Sequence, residues 1–209
     1  ATGASDLLAN TGGVEITLGK EMIRTPVDDA IGYIKKTVIG DVMNIKKVRV
    51  DKEGTGMGWG AVYAQYLESM DQIGEQGNGL SVSRQLYKGD EALNESAPLK
   101  VGDKITVRLT VKADRDMDFV QIKDDRAACM EPLQAVSGFR WSNGLGYYQA
   151  TKDASTQFFI DQMRKGTYVI EYQVYVNRTG EYQTGIATVQ SAYAPEFGGH
   201  TGGYRVMVE

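Results

Sequence analysis

Ile105, Val107, Leu109 and Val111 alternate with Thr106, Arg108, Thr110 and Lys112. Side chains of a strand point to opposite faces in turn, so this run puts its apolar groups on one side and its polar groups on the other. That suits an antiparallel layer with one wet face, and a helix of period 3.6 could not bury it. The same period recurs in Val14, Ile16 and Leu18, in Val48 and Val50 against Lys47 and Arg49, in Tyr168, Ile170, Tyr172, Val174 and Val176, and in Tyr204, Val206 and Val208. Residues 31–38, 80–87, 119–123, 139–141, 145–149, 157–161 and 182–191 read as further strands. Asn143-Gly144 tolerates positive φ at both positions and predicts a tight hairpin. Residues 60–67 are apolar on both faces and predict a long strand covered on both sides.

The expected fold class is all-β. Residues 71–209 are expected to form an antiparallel β-sandwich, preceded by a smaller β unit over 13–70. Twenty-five glycines, twelve tyrosines and only four prolines agree with that architecture. The polar, glycine-containing stretch 68–79 is the expected boundary, and 88–98 an acidic loop. Asp6 to Gly13 reads as a helix tail with a glycine stop, which predicts a chain cut from something larger.

A net charge of −4 and a pI near 5.2 argue against a nucleic-acid partner, which calls for a basic face. No apolar run approaches the ~18 residues of a membrane span, and no signal peptide is visible.

Residues 137–159 read SGFRWSNGLGYYQATKDASTQFF and crowd Trp141, Tyr147, Tyr148, Phe158 and Phe159 together without a His, a Cys or a nucleophile–base pair. Such rings build a core or a contact surface rather than acid–base chemistry. The expectation is a core with the tyrosines at its rim. A sugar-stacking surface through Trp141, Tyr147 and Tyr148 is the alternative, and with it a cell-surface carbohydrate-binding or adhesive sandwich.

Three other groups have residue types that can carry chemistry. Asp114, Asp116 and Asp118 begin like a calcium loop, but Phe119 and Asp125 stand where the formula wants Gly and Glu. A turn with solvated carboxylates is expected there, calcium being the alternative. Cys129 needs a His to become a nucleophile, and the one His, His200, lies in the Gly-rich stretch 198–203, expected to be a flexible loop. Cys129 is expected as a small buried hydrophobe. The chain is expected to be no enzyme and to need no cofactor or metal.

Eight separated blocks occur in order: Trp59-Gly-Ala-Val-Tyr-Ala-Gln-Tyr66, Val101-Gly-Asp-Lys-Ile-Thr-Val107, Ala113-Asp-Arg-Asp-Met117, Ser137-Gly-Phe-Arg-Trp141, Gly146-Tyr-Tyr148, Asp153-Ala-Ser155, Lys165-Gly-Thr-Tyr168 and Gln190-Ser-Ala-Tyr-Ala-Pro-Glu-Phe197. Together they resemble the C-terminal region of bacterial α2-macroglobulin-like proteins. The resemblance implies that residues 1–12 end a helical thioester-type domain or form a linker, that 13–70 are part of a CUB-like domain, and that 71–209 are the last, MG10-type macroglobulin domain. Members are large cell-envelope or periplasmic proteins, often lipid-anchored through their N-terminus, that inhibit proteases by entrapment. The implied partners are the rest of the same polypeptide and, through it, target proteases. Many members carry a Cys-x-Glu-Gln thioester, which Cys129-Met-Glu-Pro132 does not match. In such members the last domain shields the thioester with an aromatic loop. By motif position, Ala192 and Tyr193 are the implied docking residues, although members often have Met where Ala192 stands.

Overall fold

The protein is seen here as a computed structural model, which describes residues 13–24, 35, 37–40, 45–54, 58, 60–63, 65, 67–94 and 98–209. The expected helix tail and most of the expected strand over 31–38 lie outside them. The chain divides into two compact units, Ala1–Gln65 and Tyr66–Glu209.

In the first unit, β1 (Val14–Leu18), β2 (Glu21–Arg24) and β3 (Val48–Lys52) form one antiparallel sheet in the order β2-β1-β3. β1 and β2 turn at Gly19-Lys20, and the Glu53 N–H donates to the Gly13 carbonyl at the far end of the ladder.

The second unit holds β4 (Gln76–Asn78), β5 (Leu80–Lys88), β6 (Glu91–Ala92), β7 (Lys104–Ala113), β8 (Met117–Asp125), β9 (Met130–Pro132), β10 (Gly138–Ser142), β11 (Leu145–Thr151), β12 (Ser155–Met163), β13 (Gly166–Val176), β14 (Gly180–Gln183), β15 (Ala187–Ser191), β16 (Gly198–His200) and β17 (Arg205–Val208). Hydrogen bonds run along β10-β11-β12-β8-β15-β16-β4-β5-β7-β13-β9, and β14 pairs β17. The pairings are antiparallel. The path folds back on itself at β16 and β4, so β10-β11-β12-β8-β15 faces β5-β7-β13-β9. Phe158 of β12 accordingly meets Tyr172 of β13, ring centroids 5.9 Å apart. The unit is the expected antiparallel sandwich.

Parity explains the core. Ile105, Val107, Leu109 and Val111 of β7 are buried, as are Ile170, Tyr172, Val174 and Val176 of β13 and Val120 and Ile122 of β8. Each such side chain contributes roughly 1.5–3 kcal/mol on leaving water. Asn143 (φ 51°) and Gly144 (φ 78°) make the two-residue hairpin between β10 and β11.

Several expectations fail for identifiable reasons. Residues 60–67 form no strand among those described, and Val62, Tyr63 and Leu67 are 70, 91 and 103% exposed. A two-sided apolar strand needs a layer on each side, and the first unit's described residues provide none. Residues 182–191 are not one strand. The chain leaves β14 after Gln183 and pairs with another sheet from Ala187, because the Thr184 hydroxyl and the Gly185 carbonyl turn inward to accept from Arg84. The stretch around His200 is not a flexible loop, since Gly198–His200 is β16, hydrogen-bonded between β15 and β4. A Cβ on Gly199 would stand 2.7 Å from the Gln76 carbonyl oxygen and 2.8 Å from that of Leu80. Three backbones converge there more closely than side chains allow, which is why the corner is made of glycine. Part of the acidic loop is also ordered, as β6 pairs back on β5.

Candidate functional site

Tyr193 sits in the turn between β15 and β16, and that turn is tied on all sides. The Ser191 N–H donates to the Phe197 carbonyl, the Phe197 N–H to the Ala194 carbonyl and the Ala192 N–H to the Phe119 carbonyl. Asn78 Nδ2 donates to the Glu196 carbonyl at 2.8 Å, and Gln190 Nε2 to that of Pro195 at 3.2 Å. Arg115 lies over the half-buried Phe197 ring, 4.6 Å from its centroid. The loop is therefore fixed, yet the Tyr193 side chain is 79% exposed.

Its one ring contact is Phe119, edge to face at 5.1 Å and 78°. Phe119 is itself exposed and has φ 53°. A bulky residue in the left-handed region is strained, and such strain persists where surrounding bonds impose it. The bond from Ala192 to the Phe119 carbonyl is one of them. Ala192 thus serves through its backbone and Tyr193 through its ring. In the sequence Phe119 starts a strand and stands where a calcium loop wants Gly, and nothing in its spacing foretells its φ.

A second exposed group lies on the outer face of β10, β11 and β12. Phe139, Trp141, Tyr148 and Phe159 are all exposed, and Phe139 meets Tyr148 edge to face at 5.2 Å. Trp141 lies over Gly146, where a Cβ would be 2.7 Å from its ring. Tyr147 does not belong to this surface. It is 5% exposed and packs against Phe158 inside the sandwich, ring centroids 5.6 Å apart. Neighbours on a strand take opposite faces, so Tyr147 and Tyr148 cannot share one.

The remaining candidates lie apart from these rings in role. Asp114 pairs with Arg115 at 2.8 Å, Asp116 accepts the Lys165 N–H at 2.7 Å, and Asp118 is exposed. Among the described residues no three His, Cys, Asp or Glu side chains are grouped to hold a metal. Cys129 is fully buried and burial pushes its thiol up, away from the thiolate a nucleophile needs. His200 is half-buried, its Nδ1 3.2 Å from the Thr201 carbonyl.

The interior holds an ionic cluster that the sequence reading missed. Arg84 of β5 donates to Asp124 Oδ1 of β8 at 2.7 Å, to the Asp125 carbonyl, to Thr184 Oγ1 and to the Gly185 carbonyl. The Tyr172 hydroxyl of β13 donates to Asp124 Oδ2 at 2.8 Å. Burial lifts the Asp124 carboxyl above its ordinary range, while Arg84 and the Tyr172 hydroxyl pull it back. Parity held the clue. Arg84 falls between Val82 and Leu86, and Asp124 follows Val120 and Ile122, so both point inward.

The second unit is an antiparallel sandwich with a charged pair inside and aromatic side chains exposed on its outer face. Residues 79–196 match the family profile described as the bacterial alpha-2-macroglobulin MG10 domain. That match takes in more than half of the chain, which belongs to this family. The fold resembles that of an Escherichia coli alpha-2-macroglobulin spanning domain MG7 to the C-terminus (TM-score 0.55, 13% identity, 97% of this chain and 34% of that one). It also resembles a Salmonella alpha-2-macroglobulin reacted with methylamine (TM-score 0.53, 16% identity, 94% and 13%) and a trypsin-activated Escherichia coli alpha-2-macroglobulin (TM-score 0.56, 13% identity, 94% and 14%). In sequence it is similar to "Circularly permutated Ras protein 2" of Dictyostelium discoideum, 28% identical over 166 residues, which are 76% of this chain and 4% of that protein. The chain thus spans a small part of each relative. No helix among the described residues is long and apolar enough to cross a membrane.

Proposed function

We propose that this chain is a non-catalytic part of a larger protease-trapping macroglobulin, and that Tyr193, held by Phe119, is where the thioester-type domain of the same polypeptide docks. The observation that carries the reading is a fixed loop that presents an exposed ring. Ordering a large ring in water gains little by itself, whereas a pre-fixed ring loses little entropy when a partner covers it. Five hydrogen bonds hold the loop in place before any partner arrives. A docked aromatic side chain also keeps water from a reactive acyl bond, which survives only in a dry pocket. The Salmonella relative is described as reacted with methylamine and the Escherichia coli relative as activated by trypsin, so both treatments are direct probes for the parent of this chain. Cleavage would release the docked domain, a two-state change in which loss of a few kcal/mol of contact suffices.

The test uses the 209-residue chain and its full-length parent. The isolated chain should leave trypsin activity on a protein substrate unchanged, while the parent should reduce it. In the parent, Tyr193→Ala should open the molecule before protease is added, seen as a larger radius in small-angle scattering. Inhibition by the isolated chain, or an unchanged parent radius after Tyr193→Ala, overturns the reading.

A further inference from the structure

The outer aromatic group is ordered by register. Phe139 pairs with Tyr148, Tyr148 with Phe159, Phe159 with Gln121, and Gln121 with Gln190. These five residues therefore form one row across β10, β11, β12, β8 and β15. At a strand spacing of about 4.8 Å the line is roughly 19 Å long. All five are exposed. Trp141 adds a sixth group one step along β10, laid across Gly146. Three rings thus lead directly into two amides along the row.

The charge of that line is its second property. The chain carries 23 basic and 27 acidic side chains, yet none of the six residues is charged. The nearest cation on the same face, Lys123, is paired with Asp125 at 3.0 Å. A nucleic acid or an anionic lipid surface would call for free Lys or Arg here. A protein partner of ordinary size covers about 800 Å² per side, more than a row one side chain wide offers. A neutral ligand that is apolar on its ring faces and hydroxylated at its edges matches both halves. Its C–H faces stack on Phe139, Trp141, Tyr148 and Phe159, and its hydroxyls meet the Gln121 amide, which both donates and accepts.

We propose that this sheet face binds a neutral, linear oligosaccharide laid across the strands, with Trp141 and Phe159 as stacking platforms and Gln121 as the hydroxyl partner. The stacking rings lie apart from the Tyr193 turn, which the line touches only through the bond from Gln190 to the Pro195 carbonyl, and the proposal does not depend on the docking role of Tyr193.

The experiment uses the 209-residue chain on a printed array of neutral and acidic oligosaccharides. Any neutral hit is then titrated in solution by calorimetry. Saturable binding to neutral chains is expected, with Trp141→Ala and Phe159→Ala each weakening it about tenfold or more, the scale of a lost stacking contact. Tyr175→Ala, an exposed aromatic residue of β13 in the opposite layer, should leave the affinity unchanged. Melting curves of the three variants identify any that fail to fold, and the two stacking variants serve as checks on each other. Three results overturn the proposal: no neutral glycan bound at millimolar concentration, binding confined to acidic glycans, or binding indifferent to both stacking variants. Loosened packing of the parent polypeptide on Trp141→Ala, without glycan binding, assigns the face to a protein contact and also overturns it.

Discussion

Arg84 Nη1 lies 2.7 Å from Asp124 Oδ1 across the middle of the sandwich, and both side chains are almost fully excluded from solvent. The pair links the two layers at one point, with Tyr172 closing on the second carboxylate oxygen. Removing one charge strands the other in a medium that solvates it poorly. Asp124→Ala is expected to cost about 3–5 kcal/mol in urea unfolding. The double variant Arg84→Met with Asp124→Leu should cost less than the sum of the single ones, because neither leaves an orphan charge. Additive costs would show that the two residues act independently.

The Tyr172 phenol is pushed well above its ordinary value, by burial first and by Asp124 second. An unfolded tyrosine loses its proton near about pH 10, where the folded one still holds it. Above that pH the unfolded state binds fewer protons, so stability falls as pH rises. The contribution is whole below about pH 10 and is lost above it. Unfolding curves between neutral pH and the alkaline limit should show a decline that Tyr172→Phe reduces. An identical decline in the variant would assign it to other groups.

At the β16 corner, Gly199→Ala puts a methyl group against two carbonyl oxygens, with no flexible side chain to give way. The expected loss is about 1–3 kcal/mol by thermal or urea unfolding, the range for overpacking. A neutral result would show that the corner can open by several tenths of an ångström.

Cys129 is buried and its thiol is held in the neutral form by burial. Iodoacetamide at pH 8 should leave the folded chain unmodified for hours and label it fully in urea, as mass spectrometry would show. Prompt labelling without denaturant would reveal an opening of the core near Met130.

Tyr193 is exposed and touches one ring, so Tyr193→Ala should change the stability of the chain by less than about 0.5 kcal/mol. A larger loss would make the side chain part of the fold rather than a contact held ready.

The alternation of β7 and β13 made the layers legible, because a period of two is visible wherever one face is buried. The same rule reached further than it was applied. It places Arg84 and Asp124 inside and separates Tyr147 from Tyr148. Arg84 and Asp124 escape notice because a charge among alternating apolar residues does not announce a buried partner, and adjacency groups the two tyrosines that parity divides. The β16 strand had no comparable signal, since Gly198 and Gly199 carry no side chains to alternate. Phe119 was out of reach for another reason, as its φ is imposed by a bond from Ala192, seventy-three residues away in the chain. The apolar run 60–67 misled because a pattern can state that a segment is fit for burial without supplying the neighbours that bury it.

The strand β17 is synthesised after every other described strand of the sandwich. Val206 and Val208 are nevertheless core residues, and the Leu99 N–H donates to the Met207 carbonyl while the Glu209 N–H donates to that of Leu99. A nascent chain that has released β4 to β16 from the ribosome still exposes the apolar floor beneath Leu99. The sandwich must therefore wait, open on one side and prone to associate with its neighbours, until Val206 and Val208 have been translated.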